Sequence, residues 1–199
     1  MRKLLGQKAL GFLLLPLLAG CGEQPSEQEL TRHAETAVAL FFQSCVHHFG
    51  VAAEVSTWAR QNGFVPLDKA AQEKLPFGMI ELDAQHVWQA DKNGGVFYLS
   101  TMPENGCSIK VLQADESTVR QRFAEWAEQG AAGLTVAKRA DHYSASPFPF
   151  SRLVYAWYGQ DRRNEILLAA NTSPDTRIPA QASLSFNREP ISNATVVAP

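Results

Sequence analysis

Five histidines and three cysteines are the side chains of this 199-residue chain best suited to proton transfer, metal ligation or nucleophilic attack. His33, His47 and His48 fall on one helical stretch, and His86 and His142 fall near strand ends. Asp141-His142-Tyr143 holds the components of an acid–base site, because an imidazole beside a carboxylate can exchange protons near neutral pH. Neighbours along a strand point to opposite faces, however, so adjacency in sequence keeps Asp141 and His142 apart. A catalytic reading would rest on His142 or His47. Cys45, His47 and His48 are a rival metal-ligand set. Adjacent histidines on a helix point in different directions, and no second paired cluster accompanies them, so no metal site is assigned.

Longer catalytic signatures are missing from the sequence. No G-x-S-x-G elbow positions a nucleophilic serine. Neither G-x-x-x-x-G-K-[ST] nor G-x-G-x-x-G offers a phosphate cradle, and H-E-x-x-H does not occur. No catalytic residue and no cofactor is therefore assigned. The densest candidate for binding is aromatic: Phe148, Phe150, Tyr155, Trp157 and Tyr158 lie close together. Strand alternation sends Leu153, Tyr155 and Trp157 to one face and Val154, Ala156 and Tyr158 to the other. One face belongs to the core. The other, where no helix covers it, would be an aromatic surface for a partner or an apolar ligand. The competing reading is that these rings fill the core and its rim.

The elements that must position these residues follow from periodicity. Over 27–49, Leu30, Ala34, Ala37, Phe41 and Cys45 form one helical stripe, widened by Val38, Phe42 and Phe49. Ser26 and Glu29 have the spacing of a capping box, and Gly50 ends the stretch. A second amphipathic helix covers 51–61, and Asp68 caps a short one through 74. The texture then changes to β-branched and aromatic runs over 86–90, 95–101 and 108–113, divided by Asn93-Gly94 and Asn105-Gly106 turn signals. The helix over 115–129 stops at Gly130. Four further strands are predicted over 134–144, 152–158, 165–171 and 182–187. The expected fold is α+β: an antiparallel sheet with helices packed on one face, preceded by an N-terminal helical pair. Trp58-Ala59-Arg60-Gln61-Asn62-Gly63 is echoed by Trp126-Ala127-Glu128-Gln129-Gly130. Either a helix-plus-meander unit is duplicated, or two amphipathic helices share a Trp and a Gly cap by chance.

Ahead of this domain, Arg2, Lys3 and Lys8 precede an apolar run over 10–18 that is interrupted by Gly11 and Pro16. The run is short of the roughly 18 apolar residues that cross a bilayer and has the form of a secretory leader. Leu18-Ala19-Gly20-Cys21 follows it directly and resembles the lipobox of bacterial lipoproteins. The resemblance implies cleavage before Cys21, a diacylglyceryl thioether on its sulfur and an acyl group on its amine. Two or more acyl chains anchor stably where one does not. On this reading 1–20 is the signal peptide, 21–29 the lipidated cysteine and a tether, 30–189 a single periplasmic α+β domain and 190–199 a tail. Gly22, where Asp would favour inner-membrane retention, implies the outer membrane, with the domain facing the periplasm. The domain itself resembles uncharacterised proteobacterial envelope lipoproteins only in size and setting.

Two consequences follow from the leader. The chain carries 18 basic and 20 acidic side chains, three of the basic ones in the leader; 15 against 20 leaves a formal charge of −5. Without a basic tract to neutralise phosphates, nucleic-acid binding is excluded. Giving Cys21 to the lipid leaves Cys45 and Cys107, which in an oxidising compartment most simply form one disulfide. The loop so closed is worth about 4 kcal/mol of chain entropy. Two separate buried thiols are the alternative. The expected function is non-catalytic binding or scaffolding in the envelope, with the membrane as one partner and an envelope protein as another. The runner-up is a periplasmic enzyme with a His-based site acting on an envelope substrate.

Overall fold

Ser26 starts the first helix in the computed structural model, which describes residues 24–160 and 163–190. Its hydroxyl accepts from Glu29 N at 3.3 Å while the Glu29 carboxylate accepts from Ser26 N at 2.8 Å, a complete capping box. Helix α1 (Glu27–Phe41) buries Ala34, Ala37, Val38 and Phe41. The predicted continuation to 49 does not remain α-helical. Phe42–Val46 forms a π-helical turn, closed by His47 N donating to Phe42 O at 2.9 Å. The wider turn keeps Phe42, Cys45 and Val46 all inward, where a regular helix would rotate one of them outward. Chain reversal then falls on Gly50, at φ +68°. A Cβ there would lie 1.7 Å from the Asn105 carbonyl oxygen, so only glycine fits.

Helix α2 (Ala52–Gln61) leads to a two-residue strand β1 (Val65–Pro66) and the short α3 (Lys69–Gln72). A first meander follows, of β2 (His86–Lys92), β3 (Gly95–Met102) and β4 (Gly106–Val111). Helix α4 (Glu116–Gln129) is capped by Asp115, whose side chain accepts from Thr118 N at 2.8 Å. A second meander comprises β5 (Thr135–Ser144), β6 (Phe150–Tyr158), β7 (Asn164–Thr172) and β8 (Ala182–Pro190).

All eight strands join one antiparallel sheet in the order β1-β2-β3-β4-β8-β7-β6-β5. The two meanders therefore meet through their last strands, with Cys107 opposite Phe186 and Ile109 opposite Leu184. Each meander is preceded by one long helix, and α1 and α4 lie side by side. The Trp echo does not follow this symmetry, because Trp58 lies on α2 and Trp126 on α4.

Cross-strand register aligns the apolar positions. Trp88, Leu99, Ile109, Leu184, Ala170 and Leu153 stand opposite one another in sequence across six strands and belong to one core with Phe41 and Phe123. Burying each such side chain contributes about 1.5–3 kcal/mol. Cys45 and Cys107 are joined by a disulfide inside this core, with Cα atoms 5.4 Å apart. It ties the π-helical turn to the central strand pair. The architecture is α+β, and no described helix is long and apolar enough to cross a membrane.

Candidate functional site

The sheet face turned away from α1 and α4 carries the opposite chemistry. Tyr98, Lys110, Ser183, Asn171, Arg152 and His142 stand opposite one another in register, forming one polar row across β3, β4, β8, β7, β6 and β5. The next row begins Ser100, Ser108, Ser185 and turns apolar at Ala169 and Val154. This pattern is plain alternation: in Ser183-Leu184-Ser185-Phe186-Asn187 the apolar members face the helices and the polar ones face away.

Part of this face lies under the segment between α3 and β2. Met79 is buried against it, and Lys110 Nζ donates to the Gly78 carbonyl at 2.9 Å and pairs with Glu81 Oε1 at 3.0 Å. Lys110 is thus a buried ammonium held by one carboxylate and one carbonyl, as a charge in that setting requires. Burial, aided by the Asp91 charge, raises the Tyr98 phenol above its ordinary value.

Beyond Lys110 the face opens into a groove of about 690 Å³. Its floor is Asn171, Ser183, Ser185 and Asn187; Glu81 and Asp83 form one wall, and Glu104, Arg188 and Glu189 lie around its margin. Asp83, Glu104 and Glu189 are exposed and act as solvated acceptors. The buried Asn171 Oδ1 and Ser108 Oγ have no hydrogen-bond partner. Each such atom costs about 1–3 kcal/mol while unsatisfied. The groove therefore has a hydroxyl- and amide-lined floor and a surplus of carboxylates. Its lining contains neither histidine nor cysteine. That arrangement can bind a ligand rich in hydrogen-bond donors.

The aromatic cluster is divided by the strand that carries it. Tyr155 and Trp157 lie on the helix-covered face, buried, where they dock α4. Tyr155 Oη donates to Glu128 Oε1 at 2.6 Å, and Trp157 Nε1 donates to the Ala127 carbonyl at 2.8 Å. Burial and that hydrogen bond push the Tyr155 phenol far up. Phe150 and Tyr158 lie at opposite ends of β6, roughly 26 Å apart along an extended strand, and Phe148 sits in the preceding loop. Tyr158 is half-buried, with the Arg139 guanidinium 5.8 Å from its ring centre. The five rings do not share one surface.

The histidines are also dispersed. His33 is buried, its Nδ1 3.1 Å from the Gln113 carbonyl and its ring edge-on to Phe97. His47 and His48 stack perpendicular to each other, and His48 Nδ1 lies 3.4 Å from Glu54 Oε2. His86 packs on Trp88. His142 is exposed opposite Arg152, while Asp141 turns the other way and pairs with Arg120 at 2.5 Å. Among the described residues no group of three or more His, Cys, Asp or Glu is gathered to hold a metal ion, and Cys45 is in the disulfide. Cys21 and the leader lie outside the described residues. Comparison with known protein families, with curated proteins and with solved structures finds no match to this chain.

Proposed function

We propose that this chain is a lipid-anchored envelope protein, held through Cys21 at the outer membrane, whose periplasmic domain binds a donor-rich polar ligand without transforming it. The observation that carries the binding reading is the groove on the face away from α1 and α4: a floor of Asn171, Ser183, Ser185 and Asn187 with the Glu81, Asp83, Glu104 and Glu189 carboxylates around it. The anchor reading rests on Leu18-Ala19-Gly20-Cys21 behind a basic, apolar leader. The Cys45–Cys107 disulfide supports an oxidising compartment. The enzymatic alternative has weaker support. His47 and His142 are exposed, and the carboxylates nearest them in sequence pair elsewhere, Glu54 with His48 and Asp141 with Arg120.

Two experiments test the two halves separately. Metabolic labelling with a fatty-acid analogue should label the wild type and not Cys21→Ala; an unlabelled wild type ends the anchor reading. Crosslinking from intact envelope should capture a ligand or partner with wild type and lose it with Ser185→Trp, which fills the groove. Equal capture by both removes the groove from the function.

A further inference from the structure

The helical layer holds a second concavity, of a different chemistry from the groove. Phe42, Gln43, His47, His48, Trp58 and Trp126 line a notch of about 460 Å³ between the π-helical turn, α2 and α4. It shares His48 and Trp58 with a neighbouring space of about 380 Å³, which adds Glu54, Thr57 and Gln61. The chain has four tryptophans. Trp88 and Trp157 are 4% and 3% exposed, whereas Trp126 is 38% exposed and Trp58 is half-buried. An indole left in water at a concave site keeps apolar area available for a ligand.

Both indoles are braced. Trp126 packs on Phe42 with ring centres 5.1 Å apart, and Trp58 packs on Phe64 at 5.8 Å. The turn that carries Phe42, Gln43 and His47 is tied to the sheet by the Cys45–Cys107 disulfide. The aromatic walls are therefore held in place before any ligand arrives, which reduces the ordering cost of binding. Around them stand planar or small polar groups: the amides of Gln43 and Gln61, the imidazole of His47, the carboxylate of Glu54 and the hydroxyl of Thr57. Glu54 is the one carboxylate in the lining, and it faces His48 at 3.4 Å. No lysine or arginine lines either space, so a phosphate or other polyanion has nothing to pair with.

The ligand that fits has a flat apolar face and a polar edge. A pyranose ring has both: its axial C–H bonds lie against the electron-rich face of an aromatic ring, and its equatorial hydroxyls reach outward to amides and carboxylates. Two glutamine amides also match an acetamido substituent, each able to exchange an N–H and a C=O with it. We propose that this notch is a saccharide site that takes acetamido-bearing pyranose units of a glycan. It is independent of the groove on the sheet face, and either can hold without the other.

The test uses the full chain and the trisaccharide of β-1,4-linked N-acetylglucosamine. Acrylamide quenching of tryptophan fluorescence reads Trp58 and Trp126, because Trp88 and Trp157 are shielded in the core. Millimolar trisaccharide should cut the quenching constant by about half, since a stacked sugar excludes the quencher from an aromatic face. Trp126→Ala should weaken the saccharide affinity about tenfold, and Trp126→Phe, which keeps the packing on Phe42, by less. Gln61→Ala, an exposed change that leaves the core intact, should weaken it about threefold. Three results overturn the proposal. One is unchanged quenching at saturating trisaccharide. A second is equal protection by choline chloride, which would mean a cation-binding aromatic cage. The third is protection that persists in both Trp126→Ala and Gln61→Ala.

Discussion

On the helix side of the sheet, the register from Trp88 to Leu153 is apolar in every strand and is sealed by α1 and α4. On the other side, the row from Tyr98 to His142 is polar in every strand, and the segment between α3 and β2 crosses it at Lys110. Both sides contain buried residues, and the difference lies in how burial is compensated. The helix side removes apolar area from water, a stabilising exchange that needs no partner geometry. The opposite side buries Lys110, Ser100 and Ser108, groups that must each find a partner. Lys110 finds two, and Ser108 Oγ finds none. The crossing segment also turns two apolar side chains outward, Phe77 at 87% and Leu82 at 92% exposed.

Perturbing each side separates the two roles, with the largest effect on the helix side. Phe123 is fully buried between Phe41, Phe42 and Tyr155, with ring centres 5.9, 6.0 and 6.3 Å away. Phe123→Ala should lower unfolding free energy by about 3–5 kcal/mol in a denaturant titration. A loss under 1 kcal/mol would mean that the helices do not seal that face. The disulfide spans 62 residues, and replacing both Cys45 and Cys107 by Ala should cost about 4 kcal/mol. Reductant should shift the wild-type transition by a similar amount and leave the double variant unmoved.

On the polar side the effects are smaller and depend on which partner is removed. Glu81→Ala strands the buried Lys110 ammonium and should cost about 1–3 kcal/mol, while Lys110→Met removes the charge and should stay within about 1 kcal/mol of wild type. If Lys110→Met is the more damaging, the pair is structural and the contrast between the faces weakens. The smallest effect is expected at the end of two inner strands, in the β7–β8 loop. Hydrogen bonds from the Arg177 side chain and backbone hold the Asp175 carboxyl down from 3.8 to about 2. A depressed folded-state value stabilises the fold above the unfolded value, and that contribution fades as pH falls from about 4 towards 2. Wild type should therefore lose slightly more thermal stability than Asp175→Asn across that interval, as followed by circular dichroism. Parallel losses would show that the loop is not coupled to folding.

Much of the molecule was legible residue by residue. The Ser26–Glu29 cap, the stop at Gly130, the two Asn-Gly turns and the split of Leu153, Tyr155 and Trp157 from Val154, Ala156 and Tyr158 all depend on neighbours within a few positions. The π-helical turn was not legible, because the 3.6-residue stripe through Phe41 and Cys45 looks the same whether or not one turn is widened. The polar row was half legible. Alternation in β8 marks Ser183, Ser185 and Asn187 as facing away from the core, but nothing local says that Lys110 and Asn171 stand in the same row.

The sequence by itself determined where the long helices and the seven longer strands lie and which residues of each strand are apolar. It also left two cysteines to pair once Cys21 is set aside. Those outcomes rest on short-range sterics, capping and period. Only the tertiary structure decided that β4 and β8 pair at the centre and that Tyr155 and Trp157 go under α4. The cover over Lys110 and the meeting of Trp58 with Trp126 across one notch were decided there too. Each of these joins residues tens of positions apart, and the outcome is a competition among all surfaces the folded chain can bury, which no local pattern encodes.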